Sequence, residues 1–185
     1  MKASHYYSEI VKELSRAADL ISDQEAEKLV DEILLAKKIF VAGAGRSGLM
    51  GKSFVMRMMH MGLDSYVIGE TVTPNFTEND LIIFASGSGE TKSLITMAEK
   101  AKSIGGKVMA VTIFPDSTLG KMADACVKLP GSPKDQSDNE YKTIQPMGSL
   151  FEQTLLLFFD AVILRFMERK GLDTDTMFGR HANLE

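Results

Sequence analysis

The amino-acid sequence predicts an α/β protein, a three-layer αβα sandwich around a five-stranded parallel sheet of the flavodoxin-like or Rossmann-like kind. Three observations carry that expectation. Apolar runs without alternation, such as Ile39-Phe40-Val41-Ala42 and Leu81-Ile82-Ile83-Phe84, have the pattern of strands buried on both faces. Segments of helical period separate most of these runs. Glycine-rich turns directly follow the first and third strands, and each opens a helix.

Along the chain, two helices occupy about residues 5–36. The first places Ile10, Leu14, Ala17 and Ile21 on one face, and the second begins at a Ser22-x-x-Glu25 capping box. Strands are expected at 38–42, 65–68, 81–84, 107–112 and 125–129. Helices are expected after Gly48 through Met61, at 93–104, and from Ser117, a capping residue, to about Asp124. Residues 130–148 have a loop composition, with Pro130, Gly131, Pro133, Pro146 and Gly148 as breakers and a strongly polar run at 135–140. A long helix at about 149–170 ends at Gly171, and a polar tail runs to Glu185. The expectation is therefore one domain over 1–185, with N-terminal helices at about 5–36 and a C-terminal helix and tail at about 149–185.

Composition narrows the function classes. A net charge of −4 with scattered lysines and arginines argues against a general nucleic-acid binder. The single cysteine, Cys126, excludes an internal disulfide, lies in no metal-ligand spacing, and fits a core thiol. The first seven residues lack the apolar centre of a signal peptide, so a cytoplasmic location is expected. The apolar stretch 155–167 is interrupted by Asp160 and Arg165 and is too short for a membrane span.

The segment Ser86-Gly87-Ser88-Gly89-Glu90-Thr91 joins a strand to a helix start. Unpaired amides there point outward at the positive end of the helix dipole, and Ser86, Ser88 and Thr91 can add hydroxyl donors. A phosphate fits such a seat; a capped serine-rich turn is the plain structural reading. Gly43-Ala44-Gly45-Arg46-Ser47-Gly48 matches the dinucleotide pattern G-x-G-x-x-G, with Glu70 placed to meet a ribose. A second phosphate-type loop, however, has no role in a plain dinucleotide fold. Gly51-Lys52-Ser53 fails as a P-loop because Arg46 stands where the first glycine is required. Met56, Met58, Met59 and Met61 suit core or subunit-interface packing, and His60 among them suits a structural histidine. Glu152, at the start of the long helix, either meets the helix dipole or projects into a crevice.

The two glycine loops, together with Thr143-Ile144-Gln145-Pro146-Met147-Gly148-Ser149-Leu150-Phe151-Glu152-Gln153 and the ending His181-Ala182-Asn183-Leu184-Glu185, resemble the sugar isomerase (SIS) domain family. Within it they resemble the 6-phospho-3-hexuloisomerases of the ribulose monophosphate pathway. The resemblance implies interconversion of D-arabino-hex-3-ulose 6-phosphate and D-fructose 6-phosphate without metal or organic cofactor. It also implies a homotetramer with sites near subunit interfaces and no nucleic-acid or membrane partner. Ser47 and the loop of Ser86, Gly87, Ser88, Gly89, Glu90 and Thr91 would hold the phosphosugar, and Glu152 would take the proton. Amides near Gly45 to Ser47, or the Arg46 guanidinium, are candidates to stabilise an enediolate. Related isomerases often use a histidine to open the sugar ring, sometimes from a neighbouring subunit, which nominates His181. Other phosphosugar aldose-ketose isomerases, sugar-sensing SIS modules and a dinucleotide-binding protein are the alternatives.

Overall fold

The computed structural model describes residues 2–132 and 142–184. The polar run expected at 135–140, together with Pro133, lies outside the described residues. The elements are α1 (Ala3–Ala18), α2 (Asp23–Leu35), β1 (Ile39–Gly43), α3 (Gly45–His60), β2 (Ser65–Val67) and β3 (Leu81–Ala85). They continue as α4 (Lys92–Ile104), β4 (Lys107–Thr112), α5 (Thr118–Met122), β5 (Ala125–Lys128), α6 (Ser149–Lys170) and α7 (Thr174–Phe178). The five strands form one sheet in the order β2-β1-β3-β4-β5, and every neighbouring pair is parallel.

The alternation of side chains along each strand divides the core into two layers. Ile39, Val41, Leu81, Ile83, Met109, Val111 and Val127 pack with residues of α2, α3 and α6. Phe40, Ala42, Ile82, Phe84, Val108 and Ala110 face the other way, against α4 and α5. Both strand faces are buried, which is why the strand sequences show no polar alternation. The chain runs from β1 outward to β2 and then back through β3, β4 and β5. Right-handed crossovers in opposite directions across a sheet put their helices on opposite faces. Here α3 follows β1 on one face and α4 follows β3 on the other.

Local chemistry sets the element ends. Ser22 Oγ accepts from the Glu25 amide and Ser117 Oγ from the Gly120 amide, as their N-cap positions require. The Ser22 box is not reciprocal, however, because Glu25 Oε2 accepts from the Lys128 amide and so ties α2 to β5. The first helix ends at Ala18, and Ile21 packs on the core from the turn beyond it. α4 and α6 end at Gly105 and Gly171, both in the left-handed region. The C-terminal tail, expected as a polar extension, contains α7, started by Asp173 accepting from the Thr176 amide. Cys126 packs partly buried among the α4 and α5 side of the core, where burial pushes its thiol pKa up to about 11.

The closest helix–sheet approach is at the first glycine turn. A Cβ on Gly48 would lie 2.5 Å from the Gly43 carbonyl oxygen, so the first turn of α3 rests directly on the end of β1. Backbone cannot yield there as a side-chain tip can. Gly48→Ala is therefore expected to destabilise the protein by about 1–3 kcal/mol, read as a lower urea midpoint with an unchanged slope.

Candidate active site

The reversal of strand order between β1 and β3 is a topological switch point, and in open α/β sheets ligands bind at the carboxyl edge there. The register places Gly43 beside Ala85, so the turns leaving β1 and β3 are neighbours. Between them, and closed from above by the start of α6, lies a cleft of about 360 Å³. Its lining includes Gly45, Arg46, Ser47, Ser86, Gly87, Ser88, Thr91 and Glu152. Gly148, Phe151, Ile113 and Ser132 complete it. A larger groove of about 660 Å³ between α1, α2 and α6 is mostly apolar and brings together no comparable set of donors.

Two helix N-termini converge on this cleft. At α3 the N-cap is Ala44, which has no side chain to offer the first amides, and Gly45 takes a left-handed φ of +57°. The amides of Arg46 and Ser47 therefore face outward at the positive end of the dipole. At α4 the N-cap is Thr91, whose hydroxyl makes no capping bond. Ser86 Oγ accepts from the Gly89 amide and Ser88 Oγ from the Glu90 amide, each at 3.2 Å. A hydroxyl that accepts in this way keeps its own hydrogen to donate, so both can serve a bound anion.

Two of the expected ligand residues are turned elsewhere. Gly89 does not line the cleft: it carries a left-handed φ of +64°, and a Cβ there would lie 1.9 Å from Ser117 Oγ. Its place is fixed by packing against the start of α5. The Glu90 side chain is also outside, because Glu90 Oε1 accepts from the Thr118 amide at 2.8 Å and holds α5. The Thr118 hydrogen bonds keep the Glu90 pKa below the usual carboxylate range. Both residues shape the loop without facing the cleft.

Glu152 sits in the first turn of α6, 9 % exposed, and its Oε2 accepts from Arg46 Nη1 at 2.9 Å. The carboxylate and the guanidinium thus bridge the cleft from opposite elements. A buried carboxylate so placed has a counter-charge on one side and open space on the other. Glu70, the ribose candidate of the dinucleotide reading, instead pairs with Lys52 at 2.7 Å on an exposed helix face outside the cleft. Lys52 therefore spends its charge away from the site.

His181 lies elsewhere in its own chain. Its ring stacks on His60 with centroids 5.3 Å apart, at the far end of α3 from Gly45. At the rise of an α-helix, those ends are about 22 Å apart. Burial, with Arg57 and His181 beside it, lowers the His60 pKa. Within one chain, His181 thus lies at the opposite end of α3 from the cleft.

Family comparison agrees with this geometry. The SIS domain family matches residues 32–157, which is more than half of the chain. The chain belongs to the SIS domain family. It is 62 % identical over 185 residues to the 3-hexulose-6-phosphate isomerase of Bacillus subtilis, covering all of both chains. It is 42 % identical over 158 residues to the 3-hexulose-6-phosphate isomerase of Methanocaldococcus jannaschii, covering 85 % of this chain and 83 % of that one. A solved Methanococcus jannaschii structure, for which a 3-hexulose-6-phosphate isomerase function was inferred, superposes with a TM-score of 0.84 at 36 % identity. That match covers 98 % of this chain and 99 % of the other.

If the cleft is an anion seat, inorganic phosphate stabilises the folded protein by mass action. A rise in Tm of roughly 3–6 °C is expected at ten times its Kd. In the Ser88→Ala, Thr91→Ala double variant the rise should fall by at least half; an undiminished rise would remove those hydroxyls from the seat.

Proposed function

We propose that the protein is a 3-hexulose-6-phosphate isomerase, interconverting D-arabino-hex-3-ulose 6-phosphate and D-fructose 6-phosphate. One observation carries the reading: a buried carboxylate, Glu152, and a permanent cation, Arg46, meet 2.9 Å apart over an amide-rich anion seat. The full-length identity of 62 % to the Bacillus subtilis isomerase supports the same substrate.

The chemistry follows from moving a ketone from C3 to C2. Glu152 takes the C2 proton, and the C2–H electrons form the C2–C3 double bond while the C3 carbonyl becomes an enediolate oxygen. The O2 proton then passes to O3, the C2 carbonyl forms, and Glu152 returns its proton to C3. One base serves both carbon atoms. As Glu152 becomes neutral, its negative charge passes to the enediolate, so the Arg46 guanidinium keeps a partner throughout. The outward amides of Arg46 and Ser47 are further donors. Ser86, Ser88, Thr91 and the N-terminus of α4 grip the phosphate, which holds the reacting carbons in place. No step requires a metal or redox cofactor.

A 3-ketose with a phosphorylated O6 cannot close a five-membered ring, since that ring needs a free O6. Fructose 6-phosphate does close through O5, so a ring-opening acid matters chiefly in the reverse direction. His181 can reach a cleft only from a neighbouring subunit, which fits the proposed homotetramer. Exposed apolar side chains support such assembly: Tyr7, Val11, Leu157 and Leu164 on α1 and α6 border or continue the apolar groove. No helix among the described residues is long and apolar enough to cross a membrane. The reading is a cytoplasmic metabolic enzyme.

Turnover is tested with hexulose 6-phosphate generated in situ and detection of fructose 6-phosphate. Glu152→Gln should lower kcat by roughly 10²–10⁴-fold, with KM nearly unchanged; retained turnover would remove Glu152 from the mechanism. If His181 serves a neighbour, assemblies mixed from Glu152→Gln and His181→Ala subunits should convert cyclic fructose 6-phosphate to hexulose 6-phosphate faster than either variant alone. No gain on mixing would return His181 to a structural role.

A further inference from the structure

Glu13 does not line the cleft, yet it is 7 % exposed and among the most unusual side chains of the protein. It sits on α1, and its carboxylate accepts three hydrogen bonds from three consecutive residues. Thr143 Oγ1 donates to Oε2 at 2.6 Å, the Ile144 amide to Oε1 at 2.8 Å, and Gln145 Nε2 to Oε2 at 2.9 Å. The Gln145 amide in turn donates to Thr143 Oγ1 at 3.0 Å, so the short segment is folded around the carboxylate. Burial raises the Glu13 pKa, and the three donors outweigh burial and hold it below the usual carboxylate range. The clamp is therefore charged throughout neutral pH.

What this segment leads into gives the clamp its meaning. Two residues after Gln145, Met147 takes a φ of +58°, the one non-glycine residue in the left-handed region among the described residues. Such a conformation costs on the order of 1–3 kcal/mol and persists only where its surroundings enforce it. Gly148 follows as the N-cap of α6, with no side chain to hold the first turn. The Glu152 amide donates to the Gly148 carbonyl at 3.0 Å. The position of the proposed base thus depends on a strained turn, and the visible restraint before that turn is Glu13.

We propose that Glu13 is the positioning residue of the active site: by gripping residues 143–145 it enforces the Met147 turn and so aims Glu152 into the cleft. The inference rests on the isomerase reading for its kinetic consequence, but its structural claim stands separately. Glu13→Leu keeps the approximate size and loses the clamp, because leucine can accept none of the three hydrogen bonds.

Two readouts test this together. In the isomerase assay, Glu13→Leu should lower kcat about tenfold or more, with KM changed less than about twofold, because the phosphate grip belongs to β3 and α4. In amide hydrogen exchange, protection at 152–155 should fall at least tenfold, while 94–98 in α4 stays as in the wild type. Equal kcat and equal protection would overturn the proposal, as would a change confined to KM or spread evenly over both helices. Should Glu13→Leu fail to fold, Thr143→Val removes one donor and the hub of the segment, and the same pattern is expected at smaller size. An inactive wild type would overturn the isomerase reading alone, since the exchange pattern still decides whether Glu13 holds the start of α6.

Discussion

The parallel pairing of β1 with β3 is the contact on which the site depends. Their ladder runs from Ile39 beside Leu81 to Gly43 beside Ala85, so the two strands end level. Because the chain leaves them toward opposite faces, the helices that follow splay apart and leave a crevice between their N-termini. A strand order that did not pair β1 with β3 would separate the two glycine turns. The tight contact of Gly48 on Gly43 then holds α3 low against the sheet, and its first amides sit at the crevice rim. The proposed phosphate seat is thus a property of topology before it is a property of any side chain.

The second requirement is a reactive charge in a place that water leaves. Glu152 is buried on arrival at α6, and a lone carboxylate there would be costly. Arg46 offsets that burial from the opposite wall. The pair differs from a purely structural ion bridge in its exposure, because the Arg46 side chain is 47 % accessible and faces the open cleft. A cation held that way can follow negative charge as it shifts from enzyme to substrate without being drawn far from its resting place.

Much of this was legible in the sequence, and the reasons differ by element. Strands buried on both faces leave a strong apolar signal, so all five appear within about a residue or two of their expected ends. The glycine loops were legible because close backbone approach excludes side chains, a constraint written in single residues. Direction was not legible. Gly89 and Glu90 belong to the right loop, but whether they face the cleft or α5 depends on Ser117 and Thr118, which come almost thirty residues later. His181 was a match of motif, and its stacking on His60 is a tertiary contact that no spacing announces. Glu13 did leave a trace, since it falls between Ile10 and Leu14 on the apolar side of α1, where a carboxylate needs an explanation.

The binding half and the reacting half of the site are held by different means. The phosphate grip hangs on strand ends and helix N-termini, fixed by ladder hydrogen bonds and backbone contact on both sides of the sheet. Glu152 hangs on a left-handed Met147 and a side-chain clamp from α1. In the proposed mechanism, affinity for the phosphate end is therefore insensitive to small changes near α6, whereas proton transfer, which needs the carboxylate beside two adjacent carbons, is sensitive to them. The separation has a physical logic. A grip on an unreactive phosphate gains from rigidity alone, while a base that must serve C2 and then C3 needs its aim set finely, and a hydrogen-bonded carboxylate on a neighbouring helix sets it without entering the cleft.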